Sequence, residues 1–366
     1  MSALRTSRSG WLATAAALVA SVAVAGQASA AEEPGKNLRN SKLFRFEFDN
    51  DTFLGSDDAF TAGWSFQIHS QLLDEWTPGF AGWIGRIPTL GDDGKGGRIA
   101  RWSWGITQLI LTPADITIAA PQPDDAPWAG LLGGYVSWTT YDNRRLAALQ
   151  VYLGCIGPCS HAEEAQKFIH TDLNFGDTPM GWPNQIDNDV LVNLNYEYRH
   201  KLWMGGAKYE TTRWGRDLSV GTQVGVGSFA TYAEVWLEYR FGWDIPPGFT
   251  KLADPPALGI ALDPVYLDPD KPRADARSWR PYFNVVARVR SVNKFAPLEG
   301  GATQNGGVYQ QIVSTPGENQ IILGAHFAKL PLAFHLTYYR YLDDAAVTGR
   351  IRSQLDWVNF SFERRF

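Results

Sequence analysis

Apolar and polar residues alternate with a period of two through much of the chain. In residues 190–199 the alternate positions of one face are all apolar or aromatic, and the opposite positions are polar except for Leu191. Similar alternation occurs in residues 44–49, 64–69, 234–241 and 283–290. A period of two predicts β-strands with one apolar and one polar face.

Two all-β architectures use strands of this kind. A soluble sandwich packs its apolar faces against each other, whereas an outer-membrane barrel turns them to lipid and fills its lumen with polar groups. Arg, Glu and Asn recur on the polar faces, and Tyr and Trp concentrate at predicted strand ends, as in residues 196–203 and 338–341. The last predicted strand, residues 358–366, ends in an aromatic residue, as exported barrels typically do. We therefore predict an antiparallel transmembrane β-barrel of about ten or more strands.

The N-terminal region has the features of a secretory signal peptide. Arg5 and Arg8 precede the apolar residues 11–25, and Ala-Ser-Ala at 28–30 fits a cleavage site. An uncleaved membrane anchor is the alternative interpretation. We expect residues 1–30 to be the signal peptide and residues 31–366 to form one outer-membrane barrel domain.

Export exposes the two cysteines, Cys155 and Cys159, to an oxidising compartment. We predict a disulfide that closes a small loop. Two thiolates alone make a poor zinc site, and a thioredoxin-type motif has two intervening residues, whereas three lie here.

Composition narrows the classes of function. A net charge of −5 gives no general argument for nucleic-acid binding, and no apolar stretch beyond the N-terminus is long enough for a membrane-spanning helix. The Pro- and Asp-rich residues 245–273 are interpreted as a long excursion outside the membrane. Residues 157–188 likewise do not resemble a strand, and their residues 162–170 have helical composition.

The densest set of candidate ligands lies near the first predicted strand. Carboxylate, amide and hydroxyl oxygens there suit Ca²⁺, a hard cation that binds several oxygens. A polar hairpin turn between two strands explains the same composition. The residues concerned are Asp49, Asn50, Asp51, Ser56, Asp57, Asp58 and Thr61.

Two further patterns contain residues with possible chemistry. His170 follows the helical stretch and could act as a general base at neutral pH, or it could be an ordinary surface histidine. Residues 111–130 contain Thr-Pro, Asp-Asp and Pro-Trp-Ala-Gly, for which a rigid loop between two strands is the favoured interpretation. No Gly-x-Ser-x-Gly motif is present, which disfavours a serine esterase of the α/β-hydrolase type.

In this order, the patterns resemble the outer-membrane lipid A 3'-O-deacylases. The resemblance rests on Asn50-Asp51, on Phe-Thr-Ala-Gly at 60–63, and on Thr-Pro-x-Asp with Asp-Asp-x-Pro-Trp-Ala-Gly in 112–130. It also rests on Gly-Pro, Gln, His and Pro-x-Gly-Trp-x-x-Gln within 157–185. It spans residues 43–366 and is dense up to about residue 188.

The resemblance implies a twelve-stranded barrel in the Gram-negative outer membrane, with a short helix in an extracellular loop. It also implies Ca²⁺-dependent hydrolysis of the 3'-linked acyl-oxyacyl group of lipid A. By matching position, the catalytic residues are His170, Asn50, Asp51 and Thr61, of which the last three would also hold the metal. Family members use an acidic residue shortly after the histidine. Here that position falls near Gly176, so Asp177 and Asp172 are the candidates.

The implied partners are lipid A or lipopolysaccharide as substrate and the surrounding outer-membrane lipid. We expect a monomer that binds no nucleic acid. Two alternatives remain open from the sequence: a passive porin or channel, and a folded, lipid-binding relative without catalytic activity.

Overall fold

The structure is a computed structural model of the 366-residue chain. It describes residues 40–50, 62–76, 82–91, 98–123, 125–174, 176–205, 214–243, 245, 248–252, 279–299, 318–329, 331–342 and 356–366. The predicted signal peptide therefore lies outside the described residues.

Twelve antiparallel strands form one closed barrel, in which each strand pairs with its neighbours in sequence and β1 pairs with β12. This confirms the predicted fold class. The strands are β1 Leu43–Asn50, β2 Ala62–His69, β3 Ile99–Leu111, β4 Ala129–Tyr141, β5 Arg145–Ile156, β6 Asp189–Gly205, β7 Trp214–Gly227, β8 Ala230–Trp243, β9 Arg280–Phe295, β10 Glu318–Lys329, β11 Leu332–Tyr341 and β12 Asp356–Arg365.

The alternation read from the sequence separates the lipid-facing wall from the lumen. In β1 the polar side chains of Arg45, Glu47 and Asp49 are buried inside the barrel, whereas Phe46 and Phe48 are only partly buried. In β6 the apolar positions from Val190 onward face outward in the same way. Because the sheet is closed, every strand edge is paired and none is exposed to lipid.

The barrel has two distinct ends. The terminus end carries the start of β1 and the end of β12, where Lys42 and Phe366 exchange backbone hydrogen bonds. The rim end carries the connections after β1, β3, β5, β7, β9 and β11. One rim connection contains helix α1, Ala162–Lys167, followed by a π-helical turn, Phe168–Asp172, which confirms the predicted helical stretch. Helix α2, Ala296–Glu299, follows β9.

Buried ion pairs occupy the lumen at several levels. Arg45 lies 2.6 Å from the Glu363 carboxylate, and Arg290 donates to Glu234 at 2.7 Å. Arg240 binds both carboxylate oxygens of Asp217. Each charge is buried but has an opposite charge beside it, which is the condition under which charges are tolerated away from water.

Residues 248–252, which we call the lumen plug, enter the barrel from the terminus end. Arg240 donates to the carbonyl of Gly248 at 2.7 Å, Arg199 donates to the carbonyl of Thr250, and Lys251 pairs with Glu47 of β1. The interpretation of residues 245–273 as a long excursion outside the membrane is therefore wrong for residues 248–252, which lie inside the barrel. Turn-forming composition identifies a connection, but it does not reveal that the connection has partners inside the barrel.

Apolar exceptions to the alternation also have a structural reason. Leu191, which breaks the pattern of β6, packs in the lumen near the rim end with Tyr152 and Phe229. Trp236 and Val286 form a second lumen cluster with Leu252 of the plug. The described part of the lumen thus contains apolar clusters as well as ion pairs.

Aromatic side chains mark the terminus end of the outer wall. Trp203, Trp214, Trp243 and Trp279 lie at strand ends and are each more than two-fifths exposed. For Trp203 this confirms the expected position at a strand end, which is typical of the aromatic girdle of a barrel. The expectation is wrong for two of the tyrosines, because Tyr196 lies in the middle of β6 and Tyr339 is buried in the lumen. In the part of the chain that the structure describes, no helix has the length and hydropathy needed to cross a bilayer.

Candidate functional site

The connection between β5 and β6, which carries His170, folds back onto the outer wall of the barrel. Helix α1 packs on β3 and β4, and Ala162 is buried against Ile110 and Trp128. Gly130 of β4 lies directly under this contact, where a Cβ atom would overlap Ser160 and Ala162. A residue without a side chain is needed there because the helix approaches the strand so closely.

Polar groups on the same outer wall fix the start of the helix. The indole of Trp64 on β2 donates to Gln108 on β3 at 2.8 Å. The amide of Gln108 in turn donates to the carbonyl of Ser160 at 2.7 Å. Gln108 faces outward by its register but is buried, because the returning segment covers it.

Two tryptophans join the His170 segment to the connection between β3 and β4. The rings of Trp128 and Trp182 meet edge to face with their centroids 5.1 Å apart, and both are fully buried. The Trp182 indole donates to the Gln166 side-chain carbonyl at 2.8 Å, one turn before His170. The backbone of Met180 also bonds the carbonyl of Ile116. Residues 111–130 thus have the structural role that the sequence favoured, and they support the histidine-bearing segment.

A disulfide joins Cys155, at the end of β5, to Cys159, just before α1, which confirms the predicted pairing. The backbone N–H of Cys159 donates to the Asn188 side chain at 2.7 Å, immediately before β6 begins. Both ends of the segment are therefore tied to the same point of the rim.

His170 is half-buried on the π-helical turn, and its orientation is fixed by the turn that follows. Its Nδ1 lies 2.9 Å from the backbone carbonyl of Asp177. Asn174 and Gly176 both have positive φ, of 56° and 121°, which curls the chain back over the ring. A Cβ atom on Gly176 would lie 3.0 Å from Nδ1, so a glycine at this position allows the carbonyl of the next residue to reach the imidazole.

A carbonyl oxygen only accepts hydrogen bonds, so in the neutral imidazole Nδ1 carries the proton and Nε2 is left as the acceptor. In this tautomer Nε2 is the nitrogen that can accept a proton. The side chains of the two acidic candidates, Asp172 and Asp177, are exposed. The main chain of Asp177 contacts the imidazole, and the part of its carboxylate in catalysis stays a prediction.

Asn50 is the last residue of β1 and lies at the rim end, on the outward register of the strand. It pairs with Ala62 of β2, and Ala62 pairs with Ile110 of β3, on which α1 packs. Two strand spacings separate Asn50 from Ile110, or about 10 Å. Asn50 and the His170 segment therefore lie at the same corner of the outer wall.

Asp51 and Thr61 lie outside the described residues, directly after β1 and directly before β2. The connection that contains them starts after Asn50 and ends before Ala62, and these two residues are paired in the sheet. Among the described residues, no group of three or more His, Cys, Asp or Glu side chains is arranged to hold a metal ion. The predicted metal ligands thus depend on Asn50 and on its two undescribed neighbours.

Asp115, on the connection between β3 and β4, is also fixed by hydrogen bonds. The Thr117 hydroxyl and backbone N–H both donate to Asp115, and these bonds hold the pKa of Asp115 below its usual value because they favour the ionised form. The bonds stabilise the turn of the β3–β4 connection on its solvent side.

The family described as Outer membrane protein LpxR matches residues 12–366. The chain belongs to this family. Its fold and family place it in the outer membrane of a Gram-negative bacterium. No curated protein matches the sequence.

One solved structure supports the fold of this LpxR family member, and two others are similar at lower TM-scores. LpxR from Salmonella typhimurium superposes with a TM-score of 0.65 at 15% identity, and the match covers 88% of this chain and 99% of that chain. The β domain of the Bordetella autotransporter BrkA matches at a TM-score of 0.42 and 11% identity, over 89% and 98% of the two chains. An outer-membrane channel from Pseudomonas putida F1 matches at 0.39 and 10%, over 92% and 100%.

Proposed function

We propose that this protein is a Ca²⁺-dependent esterase that removes the 3'-O-linked acyl-oxyacyl chain of lipid A in the outer membrane. Membership of the LpxR family supports the substrate class. The observation that carries the proposal is the imidazole of His170, oriented by a backbone carbonyl on a segment that is fixed to the lipid-facing wall.

In the proposed reaction, Nε2 of His170 accepts a proton from a water molecule as its oxygen attacks the ester carbonyl. The bond between the carbonyl carbon and the sugar oxygen then breaks. The proton held by the imidazole passes to the leaving sugar oxygen, which gives a free 3'-hydroxyl and the released acid. No covalent enzyme intermediate is needed, in agreement with the absence of a serine-elbow motif from the sequence.

Asn50, Asp51 and Thr61 are the proposed ligands of the metal. Their amide, carboxylate and hydroxyl oxygens are the donors that Ca²⁺ binds, so the chemistry of the set fits the ion. When bound, Ca²⁺ would polarise the ester carbonyl and stabilise the negative charge that develops on its oxygen. Asn50 is also able to donate a hydrogen bond from its side-chain amide.

The position of the site suits a substrate that is itself a membrane lipid. The His170 segment and Asn50 lie on the outside of the barrel at its rim end. Directly below them the wall exposes apolar side chains, including Phe66 and Ile106. A lipid A molecule would reach such a site by lateral diffusion, with its acyl chains still in the hydrocarbon layer.

A passive channel receives no support from the described lumen, which ion pairs, apolar clusters and the lumen plug occupy. An inactive lipid-binding protein would have the same fold, so only an experiment distinguishes it from the proposed esterase. The inactive protein would bind Ca²⁺ without hydrolysing lipid A.

The experiment compares the native protein with His170→Ala and Asp51→Ala in detergent micelles that contain lipid A and Ca²⁺. We expect hydrolysis by the His170→Ala variant to be slower by at least about 10²-fold, because general-base catalysis supplies an acceleration of that size. A chelator should stop the native reaction, and added Ca²⁺ should restore it.

His161→Asn is the matched control. His161 lies in the same connection with a φ of 53°, which Asn tolerates, and its side chain is exposed. This variant should hydrolyse lipid A at the native rate. Native rates for both His170→Ala and Asp51→Ala would overturn the proposed mechanism.

A further inference from the structure

Residues 82–91, which we call the outer wrap, belong to the connection between β2 and β3 at the terminus end. They do not extend beyond the terminus end of the barrel but pack against its lipid-facing wall. Ile84 and Leu90 are fully buried against Trp138 of β4 and Leu149 of β5. The covered positions share the outward register with neighbours that remain exposed, such as Val136 and Val151.

Hydrogen bonds hold the outer wrap in place. The carbonyl of Leu90 accepts from the Trp76 indole at 2.9 Å and from the Thr140 hydroxyl at 2.8 Å. The hydroxyl of Tyr196 on β6 donates to Thr89 at 2.9 Å. The wrap therefore spans three strands, with hydrogen bonds to β4 and β6 and apolar contacts with β5.

Several backbone groups of the wrap form hydrogen bonds within the protein. A short 3-10 helix, Ile84–Arg86, supplies internal bonds, and the backbone N–H groups of Leu90 and Gly91 both donate to the Ile87 carbonyl. The Gly91 carbonyl accepts from Arg98 at 2.7 Å. Bonds of this kind are what irregular backbone requires at membrane depth.

The side chains that the wrap turns outward are of two kinds. The indole of Trp83 is 44% exposed and meets the Trp138 ring edge-on, with the centroids 6.0 Å apart. Trp102, which pairs with Trp138 across the sheet, is 40% exposed at the same level of the wall. Arg86 is exposed as well. Tryptophan and arginine together are typical of the layer where hydrocarbon meets phosphate.

We propose that the outer wrap is a membrane-interface anchor that binds phospholipid at the terminus end of the barrel. The Trp83 indole lies at the boundary of the acyl chains, and the Arg86 guanidinium binds lipid phosphate. The partner is a lipid surface because the wrap continues the exposed apolar wall of the barrel. This role is independent of lipid A hydrolysis.

Spin labels on the full-length protein test the anchor in vesicles of phosphatidylethanolamine and phosphatidylglycerol. Nitroxides are placed at Trp83→Cys and Arg86→Cys. Leu153→Cys on the bare wall serves as the lipid reference, and Ala120→Cys in the rim connection serves as the water reference; both positions are exposed. Accessibility is measured to oxygen, which concentrates in lipid, and to a water-soluble nickel complex.

At residue 83 we expect an oxygen-to-nickel ratio at least about fivefold above that of residue 120 and close to that of residue 153. The ratio at residue 86 should lie between the two references. A ratio at residue 83 equal to that at residue 120 would overturn the proposal. Arg86 is exposed, so its replacement removes no buried contact and should not disturb folding. If residue 86 also gives the ratio of the water reference, poor folding of Trp83→Cys cannot explain the result at residue 83.

Discussion

At the residue scale, the main feature is that the imidazole of His170 is bound to the main-chain carbonyl of Asp177. A carbonyl selects the same tautomer as a carboxylate does, but it carries no full charge to stabilise the imidazolium that forms. Composition made His170 and Asn50 candidates, and the resemblance to the lipid A deacylases gave them their expected roles. The sequence did not predict the carbonyl contact, because this depends on the positive φ of Gly176 within a non-repetitive turn.

Gly176→Ala tests this arrangement. Alanine at a φ of 121° is strained by about 1–3 kcal/mol, and its Cβ would press on the imidazole. We expect kcat for lipid A hydrolysis to fall about tenfold with a smaller change in KM, since the base is displaced. Gly134→Ala is the control, because its Cβ has no neighbour closer than 3.4 Å. Equal loss in both variants would contradict the role of the turn.

At the scale of elements, alternation predicted the strands well because each strand separates lipid from a polar lumen. The same rule could not predict the lumen plug, since Phe249 and Leu252 find their partners on strands distant in sequence. Nor could it predict that the connection between β5 and β6 lies on the outer wall. That position results from the close fit of Ala162 over Gly130 and from the meeting of Trp128 with Trp182.

Removing the disulfide should loosen the element that carries His170, the proposed base. For so short a loop the cross-link stabilises the segment by about 2 kcal/mol on the chain-entropy account. In Cys155→Ala/Cys159→Ala we expect faster proteolytic cleavage within residues 157–188 and lower activity, with the barrel still folded. Native protein treated with a thiol reductant should behave in the same way. An unchanged cleavage rate in both samples would contradict this positioning role.

At the scale of the whole molecule, the lumen and the outer wall have separate tasks. The described lumen contains ion pairs, apolar clusters and the plug, which link strands across the inside of the cylinder. The candidate site and the outer wrap both lie outside, at opposite ends of the wall. This division suits a protein whose partners are lipids.

The plug, ion pairs and apolar clusters inside the barrel predict that the protein does not conduct ions. In planar bilayers we expect no stable channel steps from the native protein. In Phe249→Ala/Leu252→Ala we expect a measurable leak, since two side chains that pack against the lumen wall are truncated. Porin-like steps from the native protein would contradict the described packing.

The most direct test of the central claim is the mass of lipid A from Gram-negative cells with and without this protein. With the native chain we predict a species lighter by the mass of the 3'-linked acyl-oxyacyl group, and with His170→Ala at equal expression we predict only the uncleaved species. Identical spectra from cells with the native chain and cells without it, under conditions where Ca²⁺ is present, would contradict the proposed activity.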